Sequence, residues 1–331
     1  MALLRKLNTK AKTETNSGFG TNTADYGGRF LNKDGQANIE KRGISFLQRI
    51  SWYHTMLAMP RWKFLSLIIL FYISVNILFA GIYCAAGVEK LNGISGSTPL
   101  EKFGDAFFFS AQTLTTVGYG HVSPSGFIMS SIAAIEALVG LLSLAIATSL
   151  LYGRFSKPTA YLKFSQNAVI APYKGITALM LRIAPFKNTS LIEADAKIMA
   201  AMVVEENGKM TNKFFPLALE LEKINTLTLS WTIVHPITED SPFYNFTKED
   251  FENTTGELMV FIKAFDDMFS NTVVARSSYV FREIVYGAKF VPMYHRSNDA
   301  SATVLDLEKI NSFDEADLSA NIAGLTKAVN E

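Results

Sequence analysis

The stretch Thr116-Val117-Gly118-Tyr119-Gly120 decides the fold of this chain, because it places two alternate glycines between two long apolar blocks. Glycine adopts left-handed backbone twists at little cost, so alternate glycines allow successive carbonyl oxygens to turn to one side. The hydroxyl of Thr116 adds an oxygen at one end of this row. The stretch therefore predicts a column of oxygens that can replace the hydration shell of a cation.

The two apolar blocks predict transmembrane helices on either side of this column. Phe64 to Val88 contains no charged residue, and from Val122 to Gly153 the only charged residue is Glu136. At ~1.5 Å per residue, each block is long enough to cross the ~30 Å hydrocarbon layer of a membrane. A lone charge at membrane depth is functional or paired by default. We therefore expect Glu136 to support the oxygen column at Thr116–Gly120, here termed the filter, from behind by hydrogen bonds.

The segment Phe103–Thr115, directly before the filter, has helical composition but is too short to span a membrane. We expect it to re-enter the membrane and to point its partially negative C-terminal end toward the cation. Val117 and Tyr119 then point away from the ion and pack behind the filter. Because a cation needs oxygens on all sides, the chain is expected to form a homotetramer with three identical subunits.

Basic residues flank both spans on their outer sides in sequence, with Lys41, Arg42, Arg61 and Lys63 before the first and Arg154 after the second. Such flanks stay in the cytoplasm. We therefore expect an inner (plasma) membrane protein with two spans and both termini cytoplasmic.

The composition excludes several other classes of protein. Lys+Arg 31 against Asp+Glu 30 gives a formal charge of +1, which provides no electrostatic reason to bind nucleic acid. One cysteine and four scattered histidines predict neither a disulfide nor a zinc site. No nucleophile–base set, phosphate loop or metal cluster is recognisable, so we expect neither an enzyme nor a cofactor.

Before the first span, apolar residues recur at helical spacing and predict an interfacial amphipathic helix; they are Phe46, Leu47, Ile50, Tyr53 and Leu57. The alternative is a helix packed on its own soluble domain. Beyond Lys157, short apolar runs alternate with turn signals and predict a β-sandwich, with a hairpin at Asn207-Gly208 and a short helix capped by Thr247.

These features predict the following organisation along the chain. The segments are an N-terminal cytoplasmic segment (1–43, disordered over 1–27), an interfacial slide helix (44–60), an outer transmembrane helix (63–88), an extracellular turret with pore helix and filter (89–121), an inner transmembrane helix (122–155), a cytoplasmic β-sandwich (156–310) and a C-terminal tail (311–331).

One stripe of the inner helix is a candidate for the wall and gate of the pathway. It consists of Gly140, Leu144, Thr148 and Tyr152, each four residues after the last. Glycine offers a flexible point, Thr148 a wettable wall, and the two bulky residues apolar constrictions that can close by dewetting. Ordinary helix packing is the alternative explanation of this spacing.

With these residues in place, the chain resembles inward-rectifier potassium channels, most closely the prokaryotic (KirBac) branch. Thr116–Gly120 is similar to the established filter of potassium channels. The other stretches that carry the resemblance are Gly28–Ile39, Ile135–Gly140, Leu151–Pro158, Phe164–Ile170, Leu191–Ala194, Asp240–Tyr244 and Arg276–Tyr279. The resemblance implies passive K⁺ conduction, an immunoglobulin-like cytoplasmic sandwich that extends the pore, and a slide helix at Ile44–Met59.

The resemblance also implies particular roles for residues. Leu144 and Tyr152 match the cavity and bundle-crossing constrictions. A cytoplasmic constriction is implied at Phe265, Asp266, Asp267, Met268, Phe269 and Ser270, and lipid-headgroup positions at Arg61, Trp62, Lys157 and Lys197. Membrane lipids, including anionic phospholipids, are therefore expected partners.

Block by polyamines or Mg²⁺ is expected to be weak in the cavity, because Leu144 stands where strong rectifiers carry an acid. Asp266 and Asp267 are expected to give a shallower block. The alternative function is a membrane-anchored β-sandwich sensor or adaptor whose pore does not conduct.

Replacing Gly118 by alanine is expected to abolish selective potassium flux, because alanine adopts the required backbone twist only with strain of about 1–3 kcal/mol. Potassium and sodium uptake into liposomes measures the effect. A variant that still passes potassium in preference to sodium would contradict the assignment of the filter.

Overall fold

The computed structural model describes residues 8, 10–14, 18, 29–43, 45, 51–156, 158–188, 190–206 and 209–318. The chain divides into two compact units. Arg42–Lys157 forms the helical unit, and Met1–Lys41 together with Pro158–Glu331 forms the β unit.

The described residues of the helical unit form four α-helices and one small strand pair. The helices are α1 (Trp52–Ala58), α2 (Arg61–Gly87), α3 (Pro99–Leu114) and α4 (Gly126–Phe155), and the antiparallel strands are β1 (Leu91–Asn92) and β2 (Ser123–Pro124). Within the part of the chain that the structure describes, two helical segments are long and apolar enough to cross a membrane, Arg61–Lys90 and Gly126–Phe155, with 30 residues each. Both fall on the predicted spans.

Local sequence explains where these helices begin and end. Pro60 separates α1 from α2, since proline lacks the N–H that a continuing helix needs. Thr98 caps α3 by accepting a hydrogen bond from the Glu101 N–H, and the Glu101 carboxylate accepts from the Thr98 N–H in return.

The short helix α3 packs between the two long helices. Ala106 and Phe109 of α3 are buried against Phe79 and Tyr83 of α2 and against Met129 of α4. The rings of Tyr83 and Phe109 meet edge to face, with centroids 5.1 Å apart. This core holds the segment that leads into Thr116.

The β unit is an all-β sandwich of two five-stranded sheets. The strands are β3 (Leu162–Phe164), β4 (Ala168–Tyr173), β5 (Ile176–Pro185), β6 (Leu191–Glu206), β7 (Lys209–Leu217), β8 (Lys223–Leu227), β9 (Trp231–Pro236), β10 (Gly256–Asp266), β11 (Asn271–Val280) and β12 (Ile284–Tyr286). One sheet has the order β11-β10-β6-β7 with β8 beside β6, and the other has the order β12-β4-β5-β3 with β9 beside β5.

Smaller elements complete this unit. They are the helix α5 (Lys248–Asn253) and the paired strands β13 (Ala288–Phe290) with β16 (Phe313–Glu315), and β14 (Tyr294–Arg296) with β15 (Thr303–Leu305). Apolar residues of both sheets fill the core between them, among them Leu181, Ile183, Leu258 and Val260, each fully buried.

Two local predictions in the sandwich are confirmed. The pairing of Glu206 with Lys209 closes the predicted hairpin, although Asn207 and Gly208 themselves lie outside the described residues. Helix α5 begins after Thr247, whose hydroxyl accepts from the Asp250 N–H.

The N-terminal segment differs from the prediction of disorder over 1–27. Residues 8 and 10–14 lie against the sandwich, where Lys10 pairs with Glu239 at 2.9 Å and the Glu14 N–H donates to the Phe214 carbonyl at 2.8 Å. The prediction was wrong for these residues because contacts with a folded domain cannot be read from polar composition. Apart from residue 18, the other predicted disordered residues lie outside the described ones.

Two more predicted segments differ at their bounds. The slide helix is described only as α1, since 44 and 46–50, including Phe46, Leu47 and Ile50, lie outside the described residues. The sandwich continues past 310, because β16 pairs with β13 and Leu318 is buried.

His235 is buried in the sandwich, and both nitrogens of its neutral ring have polar partners. Its Nδ1 lies 2.6 Å from the Ala218 carbonyl oxygen and its Nε2 lies 2.8 Å from Ser241 Oγ. Burial lowers the pKa of this imidazole from 6.5 to about 4, because a charged ring would lose its hydration.

This lowered pKa predicts acid sensitivity. The stabilisation is fully present above the unfolded pKa of 6.5 and is lost as the pH falls toward about 4. Lowering the pH from 7.5 to 5 should therefore reduce the free energy of unfolding by ~2 kcal/mol through this single group. We expect His235→Gln to reduce the acid-induced loss by that amount in denaturant titrations of the full-length protein. The matched control is His295→Gln, at an exposed histidine of β14, and equal acid sensitivity of both variants would contradict this account.

Candidate functional site

The loop after α3 has the alternating backbone that its glycines predict. The φ angles of Thr116, Gly118 and Gly120 are 58°, 55° and 81°. The N–H groups of Val117 and Gly118 donate to the Gln112 carbonyl, at 2.9 and 3.3 Å. The loop is therefore anchored to the last turn of α3.

Backbone conformation, rather than space, selects glycine at Gly118. A Cβ built there would meet no atom of the chain within 4 Å, yet its φ of +55° lies in the left-handed region. The side chains of Val117 and Tyr119 are 52% and 80% exposed on the single chain. The expected packing behind the filter is therefore not made by this chain with itself.

Glu136 is fully buried behind α3 and joins three helices. It accepts a hydrogen bond from the Tyr83 hydroxyl of α2 at 2.6 Å and another from Ser110 of α3. Ser110 Oγ also lies 3.0 Å from Asn76 Oδ1, and the Asn76 amide donates to the Tyr72 carbonyl at 2.7 Å. Sequence analysis identified Glu136 but missed its partners, although Asn76 in an apolar block was an available signal.

Gly140 does not have the surroundings that sequence analysis expected. It is buried, and a Cβ there would overlap the Leu114 carbonyl oxygen at the end of α3. It permits close contact between two helices, and its role as a flexible point stays a prediction. Helical spacing alone cannot tell which neighbour a glycine meets.

The remaining members of the stripe are exposed on the single chain, with Leu144 61% and Tyr152 73% exposed. An apolar groove of about 450 Å³ extends between Thr116 at the end of the filter and Leu144. Its other wall includes Phe64 and Phe71 of α2. The inner end of the filter and Leu144 thus border one open space.

Arg154, near the end of α4, binds the end of α1. Its guanidinium donates to the carbonyls of Met56 and Met59, the latter at 2.6 Å, and lies 4.5 Å from the centre of the Phe64 ring. Next to it, Gly153 lies against Leu57 and Tyr53 of α1. Sequence analysis used Arg154 only as a flanking charge, because carbonyl partners leave no pattern in the sequence.

The implied cytoplasmic constriction is the turn between β10 and β11. Asp266 is fully buried, and its Oδ1 accepts from the N–H groups of Met268 and Phe269 at 3.0 and 3.4 Å. A carboxylate used in this way holds the turn and is not presented to a blocker. The contribution of Asp266 to a shallow block stays a prediction, as does that of Asp267, which is exposed.

At the tip of the turn, Met268 and Phe269 are 69% and 41% exposed, and Ser270 has a φ of 46°. Phe265, in contrast, belongs to β10 and pairs with Thr272. The tip thus presents one flexible and one aromatic side chain.

The implied lipid-headgroup residues fall in different parts of the chain. Arg61 and Trp62 are exposed neighbours at the start of α2, and Trp62 is 82% exposed. Lys197 is an exposed residue of β6 in the other unit, and Lys157 lies outside the described residues. Among the residues that the structure describes, no cluster of three or more His, Cys, Asp or Glu side chains could hold a metal ion.

Comparison with known proteins gives consistent matches over both units. The family model "Inward rectifier potassium channel C-terminal domain" matches residues 162–327, and the model "Ion channel" matches residues 67–157. The inward rectifier potassium channel Kirbac3.1 of Paramagnetospirillum magnetotacticum is 36% identical over 288 residues, covering 86% of this chain and 95% of that protein.

More distant relatives match as well. The human G protein-activated inward rectifier potassium channel 2 is 27% identical over 293 residues, covering 80% of this chain and 67% of that protein. Among solved structures, the sporulation control protein Spo0M of Bacillus subtilis matches with a TM-score of 0.21 and 9% identity over 39% of this chain and 50% of that chain, which is too weak to support any inference.

The hydrogen bonds around Glu136 predict how its variants behave. Glu136→Ala leaves the buried hydroxyls of Tyr83 and Ser110 without this acceptor, at a cost of about 1–3 kcal/mol each, and should lower the potassium-to-sodium flux ratio. Glu136→Gln keeps the shape and an acceptor for Tyr83, and should retain most of that ratio.

Tyr72→Phe serves as the control, because the network uses only the Tyr72 main-chain carbonyl. Liposome flux and thermal unfolding in detergent measure both effects. An unchanged flux ratio in Glu136→Ala would remove Glu136 from filter support.

Proposed function

This chain belongs to the inward rectifier potassium channel family, and from that premise we propose how its residues conduct potassium and control its passage. It is a membrane protein and a potassium channel of the inward-rectifier type, with two transmembrane helices and a C-terminal all-β domain. The proposals concern the filter, the assembly, the gate and the ligands that regulate it.

The filter is Thr116–Gly120, and its alternating backbone is the observation that carries this proposal. The positive φ angles at Thr116, Gly118 and Gly120 support carbonyl groups turned to one side. The end of α3 leads directly into this loop, and its partially negative terminus favours a cation there. Dehydration of K⁺ is then offset by backbone and hydroxyl oxygens without any side-chain carboxylate.

The working unit is a homotetramer, because one chain provides one strand of the oxygen column. The exposure of Val117 and Tyr119 on the single chain supports this assembly, because side chains that hold the filter at a fixed width must pack against other groups, and most of their surface is left uncovered by this chain. Neighbouring subunits supply those partners and so fix the width of the filter.

The inner gate lies at Leu144 and Tyr152, with both termini of the chain in the cytoplasm. Four copies of each side chain around the axis make apolar rings that exclude water when they approach one another. Arg154 supports a link between this gate and α1, since its guanidinium holds two carbonyls of the α1 end two residues after Tyr152.

A second constriction is formed by the turn Asp267–Ser270 in the cytoplasm. The exposed Met268 and Phe269 narrow the pathway there, and Asp267 offers negative charge to Mg²⁺ or a polyamine. Arg61 and Trp62 at the start of α2 suit the headgroup region of anionic lipids, where a cation and an aromatic ring both favour the interface.

Potassium flux into liposomes tests the function. We expect the purified full-length protein to pass potassium in preference to sodium, barium to inhibit the flux, and Gly118→Ala to abolish it. Vesicles with and without anionic lipid determine the direction of lipid control. Absence of flux in every lipid composition would instead support a sensor or adaptor that does not conduct.

Rectification should be weak in the cavity and recoverable by one substitution. Leu144→Asp places up to four carboxylates beside a narrow path, where each interaction with a polyamine is several times stronger than in water. Repulsion among the four keeps some of them protonated, so the gain falls short of four charges.

We therefore expect Leu144→Asp to raise spermine affinity and to steepen its voltage dependence in bilayer recordings. Leu142→Asp is the position control, because Leu142 is exposed but does not border the groove beside Leu144 and lies ~200° from it around α4. Indistinguishable spermine block in the wild type and Leu144→Asp would show that Leu144 does not face the cavity.

A further inference from the structure

The β unit contains a buried carboxylate that the ion pathway does not use. Glu257, the second residue of β10, is 2% exposed. It accepts hydrogen bonds from the main-chain N–H groups of Phe30 and Leu31, at 2.5 and 3.0 Å. Burial raises the pKa of this carboxyl, and the two main-chain donors oppose that rise by favouring the charged form.

The segment that Glu257 holds is Arg29–Lys33, here termed the N-terminal strap. Strand β11 binds the other side of the same backbone, because Ser278 Oγ donates to the Leu31 carbonyl at 2.5 Å and Ser277 Oγ donates to the Lys33 carbonyl at 3.1 Å. Glu257 and the two serines thus satisfy donors and acceptors that a strand partner would otherwise satisfy.

Apolar and ionic contacts add to these hydrogen bonds. Phe30 and Leu31 are 6% and 3% exposed and pack in a cluster with Ala201, Phe214 and Met259. Arg29 and Lys33 both pair with Glu283, at 2.5 and 3.1 Å. The strap is therefore a docked part of the sandwich.

The two strands that hold the strap also carry the turn of the cytoplasmic constriction. Strands β10 and β11 are paired from Glu257 with Val280 at one end to Asp266 with Asn271 at the other. In the described sheet, β11 is the edge strand and β10 is its one neighbour. At ~3.4 Å per residue, the strap lies about 30 Å from the tip of the same two-stranded ribbon.

We propose that Glu257 is a positioning residue for the cytoplasmic constriction, acting through the N-terminal strap. An edge strand with one neighbour twists and bends more freely than a strand held on both sides. The docked strap gives β11 contacts beyond its pairing with β10 and so limits the positions of the turn Asp267–Ser270. This inference rests on the proposed function, which assigns that turn to the pathway.

The test uses the full-length protein with Cys84, its single cysteine, replaced by alanine and Met268→Cys as a reporter at the tip. Trypsin cleavage at Lys33 measures release of the strap, and the rate of thiol modification at position 268 measures freedom of the turn. Glu257→Ala removes the two carboxylate oxygens that accept from the N–H groups of Phe30 and Leu31, and we expect both rates to rise about tenfold. Glu257→Gln keeps one acceptor oxygen and should give intermediate rates.

The variant Ser277→Ala with Ser278→Ala leaves the buried carboxylate intact, so it carries the test if Glu257→Ala does not assemble. Glu239→Gln removes the exposed Lys10 pair elsewhere on the N-terminal segment, and neither rate should change. Faster cleavage at Lys33 with an unchanged modification rate would overturn the inference while leaving the proposed function intact. If modification at position 268 in otherwise wild-type channels does not alter potassium flux, the assignment of the turn to the pathway fails instead.

Discussion

The helical unit depends on the packing of a short helix between two long ones through a buried polar network. An apolar interface alone would allow α3 to slide, because dispersion contacts have little direction. Hydrogen bonds from Tyr83 and Ser110 to Glu136 give that interface one register. Close contact of Gly140 with the Leu114 carbonyl then fixes how near the end of α3 lies to α4. The filter begins two residues later, so its starting point inherits this register.

The β unit applies the same physical rule on a different scaffold. Two of its buried carboxylates are used where a chain segment has no regular strand partner. Asp266 holds the turn between β10 and β11 with two main-chain N–H groups, and Glu257 holds the N-terminal strap with two others. Each carboxylate replaces a missing ladder of hydrogen bonds. In these two places a buried carboxylate therefore holds a segment whose backbone is irregular.

The sequence predicted the two spans, the short helix before the filter and the sandwich, because each depends on local composition or periodicity. Long uncharged runs and alternate glycines are properties of consecutive residues, as are turn signals such as Asn207-Gly208. The features that sequence analysis missed depend on residues far apart in the chain. Arg154 binds main-chain carbonyls of α1. Every residue has such a carbonyl, so the sequence does not mark which ones are used as acceptors.

Gly140 and Asp266 show the same limit for residues that sequence analysis did identify but whose surroundings it could not predict. Both were assigned from spacing or resemblance to an exposed role, and both are buried. Spacing on a helix gives the direction of a residue but not the neighbour it meets. A carboxylate near a pore appears in a sequence as a charge, whereas only the fold reveals that it is buried and that its Oδ1 already accepts two main-chain hydrogen bonds.

The contact of Arg154 with α1 also controls rotation. A guanidinium is planar, and two carbonyl partners together with an aromatic face determine both its place and its orientation. Residues two apart in an α-helix are separated by ~200° around the axis. When Arg154 faces α1, Tyr152 must therefore point to the opposite side of α4. A rotation of α4 about its own axis, which would carry Tyr152 with it, therefore requires the Arg154 guanidinium to move with the end of α1 or to release the Met56 and Met59 carbonyls.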